Sequence, residues 1–278
     1  MNESPLTKDM LENPADWELC LRVSDTDVYA LLHHHTGGEA MIGRSISIAP
    51  GNDPLSQLET FVYDNPLLLS DFRLVTVVVE TSCFALTPLS VKDETVQREL
   101  FHKSLPDLAG KNYEMVTNSL TNPPLNIVFA PSEKLLTFVC RTFHNPRIVS
   151  HLTPLLNYFT MRRKDGNQAR TFIHLRRQSL DVVIFQGNAP ALCNRFEFSH
   201  IEDAVYYVLA CRRSVGDLDP DNDEIYISGD LERRCDISPL LGKFVKNILP
   251  VIFPPSLFRQ AREVMGAPFD LILVPLCE

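Results

Sequence analysis

Apolar and polar residues alternate over the opening of the chain, and this period of two predicts β-strands. We expect the first strand from Trp17 to Ser24 and a second from about Asp27 to His35. Gly37-Gly38 favours a tight hairpin turn, because glycine adopts positive φ at little cost, and a third strand is expected from Ala40 to Ile48. The opening therefore predicts a meander of three strands.

A helix and a buried strand should follow the meander. Asp53 can cap a helix that begins at Pro54, because its carboxylate accepts hydrogen bonds from free backbone N–H groups and proline suits the first helical position. The continuous apolar run from Leu74 to Val79 is typical of a strand that is covered on both faces, in the middle of a sheet. The order up to this point is βββαβ.

The remainder of the first half alternates short strands with helices. Its predicted elements are a strand, a helix, a strand-strand-helix segment, a strand and a helix, in this order: Cys83 to Leu86, Asp93 to Lys103, Tyr113 to Phe143, Arg147 to Leu152 and Thr153 to Met161. A polar break at residues 162–167 follows, and we place the boundary between two halves there.

The segment beyond the break repeats the opening order. Its predicted elements are three strands, a helix and a fourth strand: Thr171 to Arg176, Ser179 to Gln186, Ala191 to Phe198, the apolar stripe Ile201 to Leu209, and Glu224 to Ser228. Ser199 and Glu202 form a capping box for the helix. A helix that starts at Ser238, with an apolar face that extends to Ile248, comes next. A short helix from Ser256 to Met265 and a buried strand from Phe269 to Val274 complete the prediction.

The two halves therefore share one order of elements. A three-strand meander, a crossover helix and a parallel strand begin a ribonuclease-H-like unit, and two such units in tandem define the actin-like architecture. We predict an α/β protein with an actin-like ATPase fold, made of two ribonuclease-H-like halves in βββαβα order with a central cleft. The first half covers residues 1–165 with an inserted strand-strand-helix segment near 113–143, and the second covers residues 166–278.

Two segments carry a resemblance to a bacterial domain-of-unknown-function family with this fold. The run Val75 to Glu80, followed by Cys83 to Pro88, is similar to the central strands of the first half. The run Glu224 to Asp230 resembles the strand and Ser-Gly turn near the adenosine site of actin-like proteins. The resemblance covers nearly the whole chain, and relatives in the superfamily include kinases, chaperone ATPases and filament or pilus-assembly proteins.

The resemblance implies an ATP and Mg²⁺ site, with an Asp-x-Gly turn between the first two strands of each half. The glycine lets the backbone approach phosphate, and the aspartate holds Mg²⁺ and its waters. The first turn, Ser24 to Asp27, contains Asp25 and Asp27 but no glycine. The second turn, Arg176 to Ser179, contains neither residue type.

The adenosine turn, Ser228-Gly229-Asp230, keeps one glycine but has Asp230 where a second glycine is usual. A carboxylate at that position would repel phosphate if it faced it. We therefore expect no ATP hydrolysis, while simple nucleotide binding stays compatible with the sequence. The candidate cleft residues are Asp25, Asp27, Glu80, Arg176, Arg177, Ser228, Gly229 and Asp230.

The composition of the chain indicates which kinds of partner and which cellular compartment to expect. The formal net charge is −9, which argues against nucleic acid as a ligand, because such proteins need a basic face. No apolar run approaches the roughly 18 residues of a membrane span, and the N-terminus lacks the features of a secretory signal. The seven cysteines contain no CxxC pair, which favours reduced, buried thiols in a cytoplasmic protein.

Two polar runs resemble metal sites. His33 and His35 share a strand face, and Glu39 could join them across the turn, but the simpler interpretation is a solvated hairpin end. Asp217, Asp219, Asp221 and Asp223 imitate the start of an EF-hand loop. Glu224 stands where such a loop needs glycine, so a solvated loop is favoured.

Three functional hypotheses follow from these patterns. The favoured one is a degenerate actin-like scaffold that works through protein–protein contacts, since no nucleophile elbow or phosphate loop is present. The alternative is a nucleotide-binding switch or weak ATPase, in which Asp25 or Asp27 holds Mg²⁺, Glu80 positions water and Gly229 approaches the nucleotide. The third is binding of an acidic ligand by the Arg176-Arg177 pair, because arginine matches carboxylate and phosphate oxygens.

Overall fold

The computed structural model describes residues 4–37, 41–108, 113–162, 170–187, 189–216, 219, 221–251 and 266–276. Its strands are β1 Trp17–Val23, β2 Asp27–His34, β3 Ile42–Ser47, β4 Leu74–Val79, β5 Phe84–Pro88, β6 Val116–Thr121, β7 Pro124–Phe129, β8 Arg147–Ser150, β9 Arg170–Leu175, β10 Ser179–Gln186, β11 Ala189–Glu197, β12 Glu224–Gly229 and β13 Asn247–Pro250. Its α-helices are α1 Pro54–Asp64, α2 Glu94–Ser104, α3 Glu133–Thr142, α4 Leu152–Met161, α5 Ile201–Val215, α6 Leu231–Leu241 and α7 Phe269–Ile272.

The chain divides into two compact units. The first comprises Met1–Thr121, Leu125–Leu155 and Pro254–Glu278, and the second comprises Asn122–Pro124 and Leu156–Phe253. The C-terminal segment thus belongs with the first unit. The predicted halves, with their boundary at residue 165, stay a prediction.

The first unit is built on a five-stranded sheet in the order β3-β2-β1-β4-β8. β1 pairs antiparallel with β2 and parallel with β4, which in turn pairs parallel with β8. Leu19, Leu21 and Val77 are fully buried, and β4 is buried almost throughout, as its continuous apolar run predicts. Asp53 caps α1 by accepting a hydrogen bond from the Ser56 N–H at 3.2 Å, so the predicted helix start is confirmed.

The second unit repeats this arrangement with the order β11-β10-β9-β12-β13. Again the first strand of the series, β9, pairs antiparallel with the second and parallel with the fourth. Its core joins the strands to α5 through buried aliphatic side chains such as Ile173, Val182, Val208 and Ile225. The predicted βββαβα order is therefore confirmed in both units.

Equivalent backbone hydrogen bonds show which residues of the two repeats correspond to each other. The first turn is closed by the Ser24 N–H bonding the Asp27 carbonyl at 3.0 Å, and the second by the Arg176 N–H bonding the Ser179 carbonyl at 2.8 Å. At the end of the fourth strand, Glu80 donates its N–H to Val23, as Asp230 does to Leu175. Glu80 and Asp230 therefore occupy matching positions, directly after β4 and β12.

The first unit also contains a small three-stranded sheet in the order β5-β7-β6. The helix α2 covers part of it, with the fully buried Phe101 packing against Ala85 and Val128. This confirms the strand-strand-helix prediction for β6, β7 and α3, and it shows that β5 belongs to the same sheet.

Three local predictions were wrong. The helix expected from Ser238 is α6, which begins at Leu231, and Ile248 lies in β13 instead, because short apolar runs suit strands as well as helices. The last segment is buried as expected, but it forms the helical turn α7 rather than a strand. The helix α5 begins one residue later than expected, so that His200 donates its N–H to the Asp203 carboxylate at 3.2 Å.

Thiol burial follows the expectation only in part. Cys20 and Cys211 are buried, and burial raises the pKa of the Cys211 thiol to about 11. Cys140 on α3 and Cys235 on α6 are exposed.

The helix predicted from Ser256 to Met265 lies outside the described residues. No helix within the described ranges is long and apolar enough to cross a membrane.

Candidate functional site

The turn between β1 and β2 is closed by the hydroxyl of its own serine. Ser24 Oγ accepts hydrogen bonds from the backbone N–H groups of Thr26 at 3.2 Å and Asp27 at 3.0 Å. These are the backbone donors that a phosphate would need at this turn. Asp25 lies exposed at the tip of the turn, and the Ser24 side chain is buried beneath it. The turn is thus stabilised internally, and the N–H groups of Thr26 and Asp27 are already occupied.

A buried arginine lies beneath the same turn. The Arg22 guanidinium contacts three carboxylates: Asp27 at 2.5 Å, Asp270 at 3.0 Å, and Glu80. The Arg22 side chain is 3% exposed and that of Asp270 is completely buried. We call Arg22, Asp27, Glu80 and Asp270 the Arg22 cluster, and all four residues belong to the first unit.

The Arg22 cluster explains why β1 tolerates an arginine on a buried strand. A desolvated guanidinium must be paired, and carboxylates on β2, after β4 and on α7 supply that pairing from three directions. Sequence reasoning selected Asp27 and Glu80 but missed both Arg22 and Asp270. The available signal was a charge inside an apolar run: Arg22 between Leu21 and Val23 in β1, and Asp270 between Phe269 and Leu271.

The fold family implies ATP with Mg²⁺, and the residues at this turn do not fit that group. Asp27, one of the two candidates for holding Mg²⁺, and Glu80, the candidate for positioning water, are counter-ions of Arg22, while Asp25, the other Mg²⁺ candidate, is exposed. Thr26 donates its hydroxyl to the second Asp27 oxygen at 3.1 Å, so both oxygens of that carboxylate have a donor. A cation bound by Asp27 and Glu80 would therefore have to compete with an arginine that the fold holds in place.

The matching turn of the second unit carries an arginine ion pair as well. Arg176 Nη1 lies 2.6 Å from Oδ2 of Asp181, and the Asp181 side chain is completely buried. Arg177 is exposed on the same turn. The predicted Arg176-Arg177 pair is therefore divided, with one arginine stabilising the sheet and the other facing solvent. Asp181 was missed, although a lone aspartate in the apolar strand β10 signals a buried partner.

Gly229 is required by the packing of two strands. Its φ is +95°, and a Cβ at this position would lie 2.0 Å from the carbonyl oxygen of Leu175. Next to it, the buried Ser228 donates its hydroxyl to the Ile173 carbonyl at 3.1 Å and lies 3.0 Å from Nδ1 of His174. The Ser-Gly pair thus fastens β12 to β9, and the strand contact alone accounts for the glycine.

Asp230 occupies the start of α6. Its carboxylate accepts a hydrogen bond from the Arg233 N–H at 3.0 Å and caps the helix. An anion bound to the same helix would have to compete with this negative charge. The structure thus brings Ser228, Gly229 and Asp230 together with Arg176 at the ends of β9 and β12, as their pairing in register requires.

The histidines at the end of β2 do not form a shared metal site. His33 is buried, with Nε2 at 3.7 Å from both Glu18 and Cys20, whereas His35 is exposed and bonds the Asp16 carbonyl. The two histidines therefore separate, and Glu39 lies outside the described residues. Within the described ranges, no group of three or more metal-ligating side chains is found.

In the acidic loop, the described aspartates act as turn and ion-pair residues. The Asp219 carboxylate accepts from the Asn222 side chain and from the N–H groups of Asn222 and Asp221, and these bonds lower its pKa. Asp223 is buried and pairs with Arg212, while Asp221 pairs with Lys246 at 2.5 Å. Asp217 lies outside the described residues.

Comparison with known proteins identifies the fold. A family model described as "Protein of unknown function (DUF3822)" matches residues 7–248. A Bacteroides thetaiotaomicron protein with an actin-like ATPase fold and unknown function is similar over 95% of this chain and 97% of its own, at 19% identity and a TM-score of 0.81. A chain of the structure described as the PilM-PilN type IV pilus biogenesis complex is similar over 95% and 98%, at 12% identity and a TM-score of 0.55. No curated protein matches. The family model and the Bacteroides structure confirm the predicted actin-like fold and the resemblance to a family of unknown function.

Proposed function

We propose that this chain, which belongs to the DUF3822 family, is an actin-like scaffold that acts through protein–protein contacts and does not hydrolyse ATP. The observation that carries the proposal is the Arg22 cluster. Asp27, one of the two residues that the superfamily pattern would assign to Mg²⁺, and Glu80, which it would assign to water, neutralise a buried arginine.

Energetics support this proposal. Removing one partner of a buried ion pair typically costs about 3–5 kcal/mol, because the other charge stays desolvated. A Mg²⁺ ion that recruited Asp27 and Glu80 would leave Arg22, which is 3% exposed, with only Asp270 of its three carboxylates in the cluster, so part of such a cost would apply. The Asp230 cap and the Ser24-bonded turn add a second and a third group that nucleotide would have to displace.

The comparison with PilM-PilN supports the protein-binding part of the proposal. That structure is a complex of two proteins, and one of its chains shares this fold over nearly its whole length. The fold is therefore compatible with a role in an assembly. The partner of the present chain is proposed to be a protein, in keeping with a net charge of −9 that disfavours nucleic acid.

A thermal-shift titration with ATP, ADP and Mg²⁺ tests the proposal. A ligand at 100 times its Kd stabilises the native state by about 2.7 kcal/mol, which is readily visible as a rise in Tm. We expect no rise at millimolar nucleotide, with or without Mg²⁺. An established actin-like ATPase, measured under the same conditions, provides the positive control.

The contrary result would be a Mg²⁺-dependent rise in Tm that Asp25→Ala or Asp27→Ala removes. That outcome would replace the scaffold with the nucleotide-switch hypothesis. Asp25→Ala is the sharper variant, because Asp25 is exposed and its loss leaves the Arg22 cluster intact.

A further inference from the structure

A groove lies in the small sheet of the first unit, between the first turn of α2 and the face of β6. It has a volume of about 500 Å³, which is in the usual range for ligand sites. We propose that this α2–β6 groove binds an extended peptide segment of a partner protein that carries an acidic side chain. The inference rests on the proposed scaffold function and gives it a binding site.

The floor of the groove consists of amide and hydroxyl groups rather than apolar ones. Asn126 and Gln97 are more than nine-tenths buried, and both are groove-lining residues. Each donates its side-chain amide to the main-chain carbonyl of Val91, at 3.0 Å and 2.7 Å respectively. Asn126 also bonds the Pro88 carbonyl at 3.1 Å. These bonds are internal to the chain: they fix the floor of the groove, and a ligand would be recognised by the groups above it.

The hydroxyls of β6 add hydrogen-bond acceptors at a regular spacing. Ser119 donates to the Asn126 side-chain oxygen at 2.8 Å, and Thr117 donates to the Gln97 side-chain oxygen at 2.9 Å. Each hydroxyl keeps lone pairs that can accept a further hydrogen bond. Because the two residues are separated by two positions on a strand, their hydroxyls repeat every ~6.6 Å. An extended peptide presents N–H groups on one side with the same repeat.

Apolar and charged groups complete the groove. Leu89, Val91 and Met115 line it and offer contacts for apolar side chains. At the rim, Glu94 pairs with Arg98 at 3.3 Å, whereas Lys92 makes no ion pair with any residue that the structure describes. The exposed Lys92 ammonium therefore favours a carboxylate in the ligand.

Panning a random peptide-display library against the full chain, followed by fluorescence anisotropy with the enriched peptides, tests the inference. Ser119→Trp should fill the groove and weaken binding by about tenfold or more, equivalent to about 1.4 kcal/mol. Ser104→Trp is the matched control, because Ser104 is an equally exposed serine at the far end of α2, and it should leave affinity unchanged. Lys92→Glu should weaken acidic peptides by up to about fivefold, the effect of one exposed ion pair.

Circular dichroism and thermal unfolding of Ser119→Trp check that the fold is kept, because the substitution also removes the hydrogen bond from Ser119 to the buried Asn126. Failure to enrich any peptide, or equal binding by Ser119→Trp and wild type, would overturn the groove. Binding of neutral sugars, with no binding of any peptide, would likewise overturn it in favour of a carbohydrate site. None of these outcomes decides the scaffold proposal, which depends on the nucleotide titration.

Discussion

Gly229→Ala is expected to destabilise the protein by about 4 kcal/mol or more, one of the largest effects of any single substitution here. The added Cβ would lie 2.0 Å from the Leu175 carbonyl oxygen and less than 3 Å from the Leu175 nitrogen and carbonyl carbon. All three are backbone atoms of β9, so no side-chain rotation can relieve the overlap. The strands must separate, and the 2.8 Å hydrogen bond from the Asp230 N–H to the Leu175 carbonyl is lost.

Equilibrium unfolding in urea measures this effect, with Gly51→Ala as the matched control. Gly51 has a similar φ of +87°, but a Cβ there would meet nothing within 4 Å. Its substitution should therefore cost only the backbone strain, about 1–2 kcal/mol. Equal destabilisation by the two variants would show that the strand contact at Gly229 is not tight. That result would reopen a nucleotide-related reason for the glycine.

The periodic segments of this chain were predictable because each contains a complete local signal. The run Leu74–Val79 has no polar interruption other than Thr76, and Asp53-Pro54 marks a helix start by hydrogen bonding and by fixed φ. The duplicated order of elements then indicates the sheet topology, since a crossover helix after a meander favours the parallel placement of the fourth strand. The same logic fails for Phe269–Val274, where a short apolar run is consistent with strand or helix.

The candidate site was predictable only in part, because its interactions join distant parts of the chain. The sequence placed Asp27 beside the first turn and Glu80 after a central strand, and both lie in the Arg22 cluster. The contact from Arg22 to Asp270 spans 248 positions, and no local pattern encodes such a pair. The sequence also could not show that Ser24 occupies the donors of its own turn, because that depends on the hydroxyl orientation.

Arg22→Met is expected to destabilise the protein by about 3–5 kcal/mol, because it leaves the buried carboxylates of Asp270 and Glu80 without their guanidinium partner. Methionine has a similar length and fills the space, so the loss reflects charge rather than a cavity. Arg22→Lys should restore only part of the stability, since one ammonium cannot reproduce a planar fork that serves three carboxylates. Urea unfolding of the three proteins provides the measurement.

Arg98→Met is the matched control for Arg22→Met. Arg98 pairs with Glu94 at 3.3 Å on the surface of α2, with 42% and 75% of the two side chains exposed, so its loss should cost less than about 0.5 kcal/mol. Combining Arg22→Met with Asp270→Asn should cost less than the sum of the single variants, because the second change removes the buried charge whose guanidinium partner is lost in the first. Strict additivity would contradict the pairing of Arg22 with Asp270, on which the Arg22 cluster depends, because two groups that interact cannot contribute independently to stability.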